Sequence, residues 1–398
     1  MPDLDTDQRS AADGLLRAVI VGGGWMGRLH AECLAEIPGV AVAGLVEPSA
    51  AAAASFTRTL GVPSYRSLDH ALADLGGVDL ACIAAPTGLH ARLAIEAVQA
   101  GCHVVVEKPL ATTVADGARI IAAARACGRT VSVILQYRFH RDVLMLKRAV
   151  DAGLLGEVIF ANLVNYIRRD AEYFGVNGGW RATWELNGGG VLINQSTHGV
   201  DLLDWCMGPI TEARAVAGTR FHHVEVEDHL SAVVSFATGA TGVIQVTSAA
   251  DQDYPLRLEV VGSRGTAVFE RAKLTGGTMT GSASDLLSET ELALLPPAPP
   301  DAFSEPFGLA HRRQFRAIVD ALRQGREPPV PASDAIRSLR TIAVIYAAAG
   351  IGPASPLPAP PLPAPPLPAP PLPAPPLPAP PLPAPPAAFA SESSGRPS

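Results

Sequence analysis

The sequence predicts an α/β protein of two folded domains. The first is a doubly wound parallel sheet; the second is an α+β domain with a large, mostly antiparallel open sheet. Three observations carry this reading. Short apolar runs alternate with helical periodicity from Leu16 to Leu135. A G-x-G-x-x-G turn, Gly22, Gly24 and Gly27, lies between the first strand and the first helix. Beyond Gly208-Pro209 several strands follow one another with no helix between them, the order of an antiparallel sheet.

The chain of 398 residues is 48% hydrophobic and 17% charged, enough apolar material for two cores. Thirty-eight acidic against 31 basic side chains give a net charge of −7 with no basic stripe, so no nucleic-acid partner is expected. Five dispersed cysteines, Cys33, Cys82, Cys102, Cys127 and Cys206, form no CxxC pair, which fits reduced thiols and a cytoplasmic location. No apolar run approaches the roughly 20 residues of a membrane span, so no membrane partner is expected. Residues 1–14 are acidic and polar, unlike a signal peptide, and read as disordered.

Leu16 to Val21 is the first strand. Met26, Leu29, Cys33, Leu34 and Ile37 recur by threes and fours, which makes a helix that Pro38-Gly39 ends. A second apolar strand, Val40 to Val46, finishes on Glu47, 20 residues after Gly27. Together these form a Rossmann dinucleotide fingerprint. The first glycine permits the turn, the second admits a pyrophosphate, and the third lets helix and strand pack closely. Trp25 and Met26 lie within the loop. Glu47 would accept hydrogen bonds from the adenosine ribose and repel a 2′-phosphate, so NAD is expected over NADP. Helices over Ala50–Leu60, Ser67–Leu75 and Ala91–Ala100 follow, with a strand over Val78–Ala84. Then come the short β-branched strand His103–Val106, a helix over Val114–Cys127 and a strand over Val131–Leu135. The first domain therefore spans 15–135.

From Gln136 the pattern changes. A polar, aromatic crossover leads to a helix over about Asp142–Ala152 and a long strand, Val158–Tyr166. Trp180-Arg181, the cluster Gly188-Gly189-Gly190 and a helix over Asn194–Trp205 come next. Asn194 and His198 are spaced to share one helical face, with Asp201 three residues beyond. Five strands between Ala213 and Glu270 build the second sheet, and helices at Ala310–Gln324 and Ser333–Ala349 close a domain spanning 136–350. His223, Glu225, Glu227 and His229 would share one face of a strand, yet apart from the VED at 226–228, which opens a strand, they read as a solvated face, and no metal is expected. Residues 351–398 are a tail holding six LPAPP copies from Leu357 to Pro386, too rich in proline for helix or sheet and expected to be polyproline II.

The stretch Gly101 to Ala111, GCHVVVEKPLA, sets the chemistry. A buried strand stopping on Glu107-Lys108-Pro109 places two ionisable groups at the carboxyl edge of a sheet, where ligands bind in open α/β folds. With VGGGWMG, APTGLH, QYRF, WR, GGGVLINQSTHGVDLLDW, VED and HRRQF, the chain over about residues 16–350 resembles the Gfo/Idh/MocA oxidoreductases. These include glucose–fructose oxidoreductase and inositol 2-dehydrogenase.

The resemblance implies an NAD-dependent transfer of hydride between nicotinamide and a sugar, cyclitol or related polyol, in a homo-oligomer built on the C-terminal sheet. Lys108 matches the EKP lysine, and burial beside a cationic nicotinamide should lower its pKa towards neutrality, so that it can move the hydroxyl proton. Glu107 is expected to orient Lys108 or contact the cofactor. His198 matches the second-domain histidine. In many relatives an aspartate stands four residues before it; here Asn194 can position a hydroxyl but cannot take a proton, which leaves proton transfer to Lys108 and His198. Pro86, Thr87, Leu89, His90 and Gln136 match cofactor-side positions. Trp180 and Arg181 match a pair that borders cofactor and substrate, and Arg138 and Tyr166 are expected on the substrate side. The same fold also carries NAD-dependent glycoside hydrolases and non-catalytic dinucleotide sensors; keeping both Lys108 and His198 argues against a sensor.

Overall fold

The structure is a computed structural model that describes residues 15–271, 273–276 and 307–353. The polar N-terminus, the 277–306 stretch and the LPAPP tail lie outside the described residues.

The first unit is built on β1 (Leu16–Val21), β2 (Val40–Val46), β3 (Ser64–Tyr65), β4 (Leu80–Ile83), β5 (His103–Val106) and β6 (Val131–Val133). All are parallel, in the order β3-β2-β1-β4-β5-β6. The order reverses between β1 and β4, and at such a switch point the loops leave in opposite directions and open a crevice. The helices between them are α1 (Trp25–Ala35), α2 (Ala50–Leu60), α3 (Leu68–Leu75), α4 (His90–Gln99) and α5 (Val114–Ala126). Local chemistry sets their ends. The Ser49 and Thr113 hydroxyls cap the first turns of α2 and α5, and Gly61 ends α2 at φ 68°. The strands are buried on both faces, as a parallel sheet covered by helices requires.

The second unit begins with α6 (Arg141–Asp151) and β7 (Val158–Tyr166). Two short helices, α7 (Ala171–Gly175) and α8 (Trp184–Asn187), lead to a π turn, Val191–Gln195, and then α9 (Thr197–Met207). Strands β8 (Ile210–Gly218), β9 (His229–Phe236), β10 (Thr241–Thr247), β11 (Arg257–Gly262), β12 (Gly265–Glu270) and β13 (Lys273–Gly276) complete a sheet of order β13-β12-β11-β7-β10-β9-β8. It is antiparallel except where β10 runs parallel to β7. One face, with Leu163, Val234, Ile244 and Leu258, is buried; Phe160, Val216 and Val233 on the other are exposed.

Two helices close the chain, α10 (Leu309–Arg323) and α11 (Ala332–Ala349). The sequence expectation placed both in the second domain, and packing corrects this for α10. Its Phe315, Ile318 and Val319 join Ala18, Ile20, Leu34 and Cys82 in one buried cluster, and Gln314 Nε2 donates to Val133 O at 2.7 Å. Helix α10 is thus a layer of the first unit. Beyond β6, Val133 N donates to Val330 O and Ser132 Oγ to Pro329 O, so returning chain covers that sheet edge.

Candidate active site

The glycine loop leaves β1 at the switch point. A Cβ on Gly22, at φ +108°, would stand 2.5 Å from Ala84 O, and one on Gly27 would stand 1.9 Å from Gly22 O. Both glycines are therefore needed for close approach of β4 and α1. At Gly24 a Cβ would meet nothing within 4 Å. Gly24 caps α1 without a side chain, and the first turn of α1 holds no acid. Its N–H groups and the positive end of the helix dipole face open space, the arrangement that binds an anionic phosphate. Glu47 is fixed beside this space, accepting from Gly23 N and Ser49 N at 2.8 Å each, with lone pairs left for ribose hydroxyls. These residues fit a dinucleotide. Trp25 is exposed at the rim, stacked on Phe307 with ring centroids 4.5 Å apart; Met26 packs against the cluster beneath.

Pro86, Thr87 and Leu89 form the single helical turn between β4 and α4. His90 is fully buried. Its ring nitrogens lie 2.9 Å from Ala85 O and Pro109 O, so it fastens the loops after β4 and β5 to each other instead of lining the crevice.

Glu107 ends β5 almost fully buried. His30 Nε2 on α1 lies 2.9 Å from its Oε1, and Lys108 N donates to its Oε2 at 3.1 Å. Burial raises the carboxyl, but the His30 hydrogen bond and the charges of His30 and Lys108 outweigh it and hold the pKa at about 2. Glu107 is thus an ionised anchor for the start of the lysine segment. The Lys108 side chain crosses to the second unit, where Nζ donates to the Asn194 carbonyl at 2.8 Å. Burial lowers the Lys108 pKa; Glu107 opposes this, and the charges of Arg181 and Arg169 lower it further.

Asn194 and His198 do not share an α-helical face. The π turn containing Asn194 ends at Ser196 (φ −103°, ψ 2°), and α9 starts at Thr197. The extra residue in the π turn breaks the three-to-four periodicity. Asn194 therefore offers Lys108 its backbone carbonyl, while its amide donates to Asn187 Oδ1. His198 stacks on Tyr137, with ring centroids 4.8 Å apart and planes 10° from parallel. Its Nε2 lies 3.3 Å from Gln136 Nε2. Among the described residues, His198 Nδ1 and Gln136 Oε1 are buried with no hydrogen-bond partner, two orphaned polar atoms at the cleft that a ligand would satisfy. Burial, followed by the charge of Lys108, holds the His198 pKa well below its ordinary value, so the imidazole is neutral at pH 7.

Two substrate-side expectations need correction. The Arg138 guanidinium is buried and bidentate on Asp201, at 2.8 and 2.6 Å, and also pairs with Asp334. It ties the crossover to α9 and α11, with Asp201 as its buried counter-ion. Tyr166 lies on the open face of the second sheet, where its hydroxyl donates to Gln245 Oε1. Phe160, six residues back on the same face, is exposed. Trp180 and Arg181 stand together beside Tyr173, with the Arg181 guanidinium 4.6 Å from the Trp180 ring and 4.7 Å from that of Tyr173.

Sequence reasoning missed the groups that hold the π turn. Glu227 is not on a strand with His223 and Glu225, since β9 begins only at His229. It is fully buried and accepts from Gly190 N at 2.7 Å, Leu192 N at 2.9 Å and Tyr346 Oη at 2.8 Å. Burial pushes its carboxyl up to about 7 against these hydrogen bonds. Asn187 Nδ2 donates to Arg181 O and Gly189 O, linking the WR pair to the glycine cluster. The only sequence signal for Glu227 was its place in the VED motif, which says nothing of what the carboxylate holds.

Comparison with known proteins agrees with this architecture. A family described as oxidoreductase, NAD-binding Rossmann fold, GFO/IDH/MocA, matches residues 16–135, and the GFO/IDH/MocA C-terminal domain matches residues 143–268. The chain is 28% identical to the WlbA dehydrogenase from Bordetella pertussis, solved in complex with NADH and UDP-GlcNAcA. That likeness covers 87% of this chain and 98% of the other, with a TM-score of 0.77. Aldose-aldose oxidoreductase from Caulobacter crescentus is 26% identical, over 84% and 98% of the two chains, with a TM-score of 0.68. Inositol 2-dehydrogenase 1 of Saccharopolyspora erythraea is 29% identical over 78% of this chain and 87% of its own.

Proposed function

The chain belongs to the GFO/IDH/MocA oxidoreductase family, and we propose that it is an NAD-dependent dehydrogenase of a sugar, cyclitol or related polyol in which Lys108 moves the proton. When bound, the nicotinamide supplies the hydride acceptor or donor. The glycine loop and the open N-terminus of α1 take the pyrophosphate, and Glu47 takes the adenosine ribose. Its carboxylate disfavours a 2′-phosphate, hence NAD over NADP.

The observation that carries the reading is the bridge from Lys108 Nζ to Asn194 O beside the orphaned His198 Nδ1 and Gln136 Oε1. A substrate hydroxyl placed there meets a lysine whose ammonium is destabilised by burial, so its neutral amine is available to take the hydroxyl proton. The Asn194 carbonyl aims Nζ. His198, neutral, can donate a hydrogen bond from Nδ1 to substrate while Tyr137 fixes its ring. Glu107 and His30 anchor the strand end that carries the lysine.

The exposed Phe160, Val216 and Val233 make the open sheet face the natural site of homo-oligomer contact. The free cysteines fit a reducing cytoplasm. Among the described residues no helix is long and apolar enough to cross a membrane.

The test is absorbance at the reduced-nicotinamide band with NAD, then NADP, against sugars, inositols and uronates. Accumulation of reduced cofactor with NAD and one polyol supports the proposal. Redox-neutral cleavage of a glycoside would replace it with the hydrolase reading. NAD binding without any turnover would replace it with the sensor.

A further inference from the structure

The proton machinery leaves a cationic shelf unused. The guanidiniums of Arg181 and Arg169 lie 4.7 and 5.2 Å from the centroid of the Tyr173 ring. The Tyr173 hydroxyl accepts from Gln195 Nε2 at 2.6 Å. Gln195 follows Asn194, whose carbonyl holds Lys108 Nζ. A short chain of contacts therefore joins both arginines to the lysine, and their positive charge reaches it: each adds to the burial that lowers its pKa.

The compensation is uneven. Arg169 pairs with Asp253, an exposed acid, at 3.0 Å. Arg181 has no acidic partner among the described residues, and Trp180 and Tyr173 hold it by stacking. Glu107 is shared between His30 and Lys108. These three like charges repel one another, and the Arg181 guanidinium is the one without an acid among the described residues. A planar guanidinium pre-oriented by aromatic stacking suits a carboxylate or phosphate, which it can grip through two hydrogen bonds.

We propose that the substrate carries an anionic group, a carboxylate or a phosphate, which Arg181 binds with Arg169 in support, next to the carbon whose hydroxyl meets Lys108. This rests on the oxidoreductase reading above and narrows its substrate class from polyols in general to acidic ones.

Calorimetric titration of the NADH-saturated protein would use three probes: glucuronate, glucose 6-phosphate and glucose. One of the two anions should bind at least about 30-fold more tightly than glucose, the weight of a partly desolvated charge pair. Which anion it is separates carboxylate from phosphate. Arg181→Ala should bring that ratio to within about threefold of one, and Arg181→Lys, which keeps the charge but not the fork, should restore only part of it. Equal affinity for all three probes, binding of none, or a preference that survives Arg181→Ala would overturn the inference. A loss that falls on NADH affinity alone would also overturn it, because the guanidinium would then serve the cofactor's phosphates. Binding is read without turnover, so a failure of NAD reduction counts against the oxidoreductase reading and leaves the anion site to be judged by the titration.

Discussion

Two glycine clusters in this molecule use the missing side chain in opposite ways. In the loop Gly22–Gly27, absent Cβ atoms let β4 and α1 close up, and at Gly24 they leave open space in front of a bare helix N-terminus. In Gly188–Gly190 the space is already filled by protein. A Cβ on Gly189 would stand 2.2 Å from Tyr346 Oη, and one on Gly190 would stand 1.9 Å from Glu227 O. The first cluster makes room for a ligand. The second lets the chain wrap a buried glutamate and tyrosine, which set the π turn that offers Asn194 O to Lys108. A glycine run therefore reads as a binding loop or as a packing device according to what stands opposite it.

This contrast should separate cofactor binding from chemistry. The largest effect is expected for Lys108→Ala, with turnover down by roughly 10²–10⁴ and NAD affinity kept. Gly190→Ala should come next. Forcing a methyl against the Glu227 backbone destabilises by about 1–3 kcal/mol, seen as a fall of several degrees in Tm, and should lower turnover by at least about tenfold. Equal loss of NAD affinity in that variant would break the contrast.

Glu227→Gln leaves one acceptor oxygen for three donors and should lower kcat by about tenfold, with NAD affinity within about twofold of wild type. It has a second readout. The folded-state carboxyl sits at about 7 against an ordinary 4.5, so between those values the folded chain holds a proton the unfolded chain has lost. Stability from this group falls as pH rises through that window. The Tm of Glu227→Gln should therefore decline less than that of wild type from pH 4.5 to 7. The smallest effect is a pH limb: in the proposed mechanism polyol oxidation uses the neutral amine, so its rate should rise with pH, with a midpoint below the 10.5 of an ordinary lysine. A midpoint at or above that value would show that burial does not tune Lys108.

The first cluster was legible in the sequence because its parts are near neighbours. Strand, glycines, helix and Glu47 fall within 32 residues of one another, and their spacing is itself the mechanism. The strand His103–Val106 was legible because a β-branched run stopping on Glu-Lys-Pro has few other readings. The second cluster was not. Glu227 and Tyr346 lie 37 and 153 residues from the Gly190 and Ile193 amides they accept from, and no local pattern signals a π turn. The apparent four-residue spacing of Asn194 and His198 misled for the same reason. Arg138 reads as a substrate group until Asp201 and Asp334 are seen beside it. The sequence of α10 shows an amphipathic helix but not that its apolar face covers the first unit.

The most direct test measures NAD affinity and turnover side by side in Gly24→Ala and Lys108→Ala. Gly24 has ordinary dihedrals and free space, so the added methyl should leave the fold intact and occupy pyrophosphate space. NAD affinity should fall by about tenfold or more, with near-normal turnover once NAD saturates. Lys108→Ala should show the reverse, with normal affinity and turnover lost. Loss of NAD affinity in both variants, or undiminished turnover in Lys108→Ala, would contradict the division of the site into a cradle from the first glycine cluster and a proton-moving lysine aimed by the second.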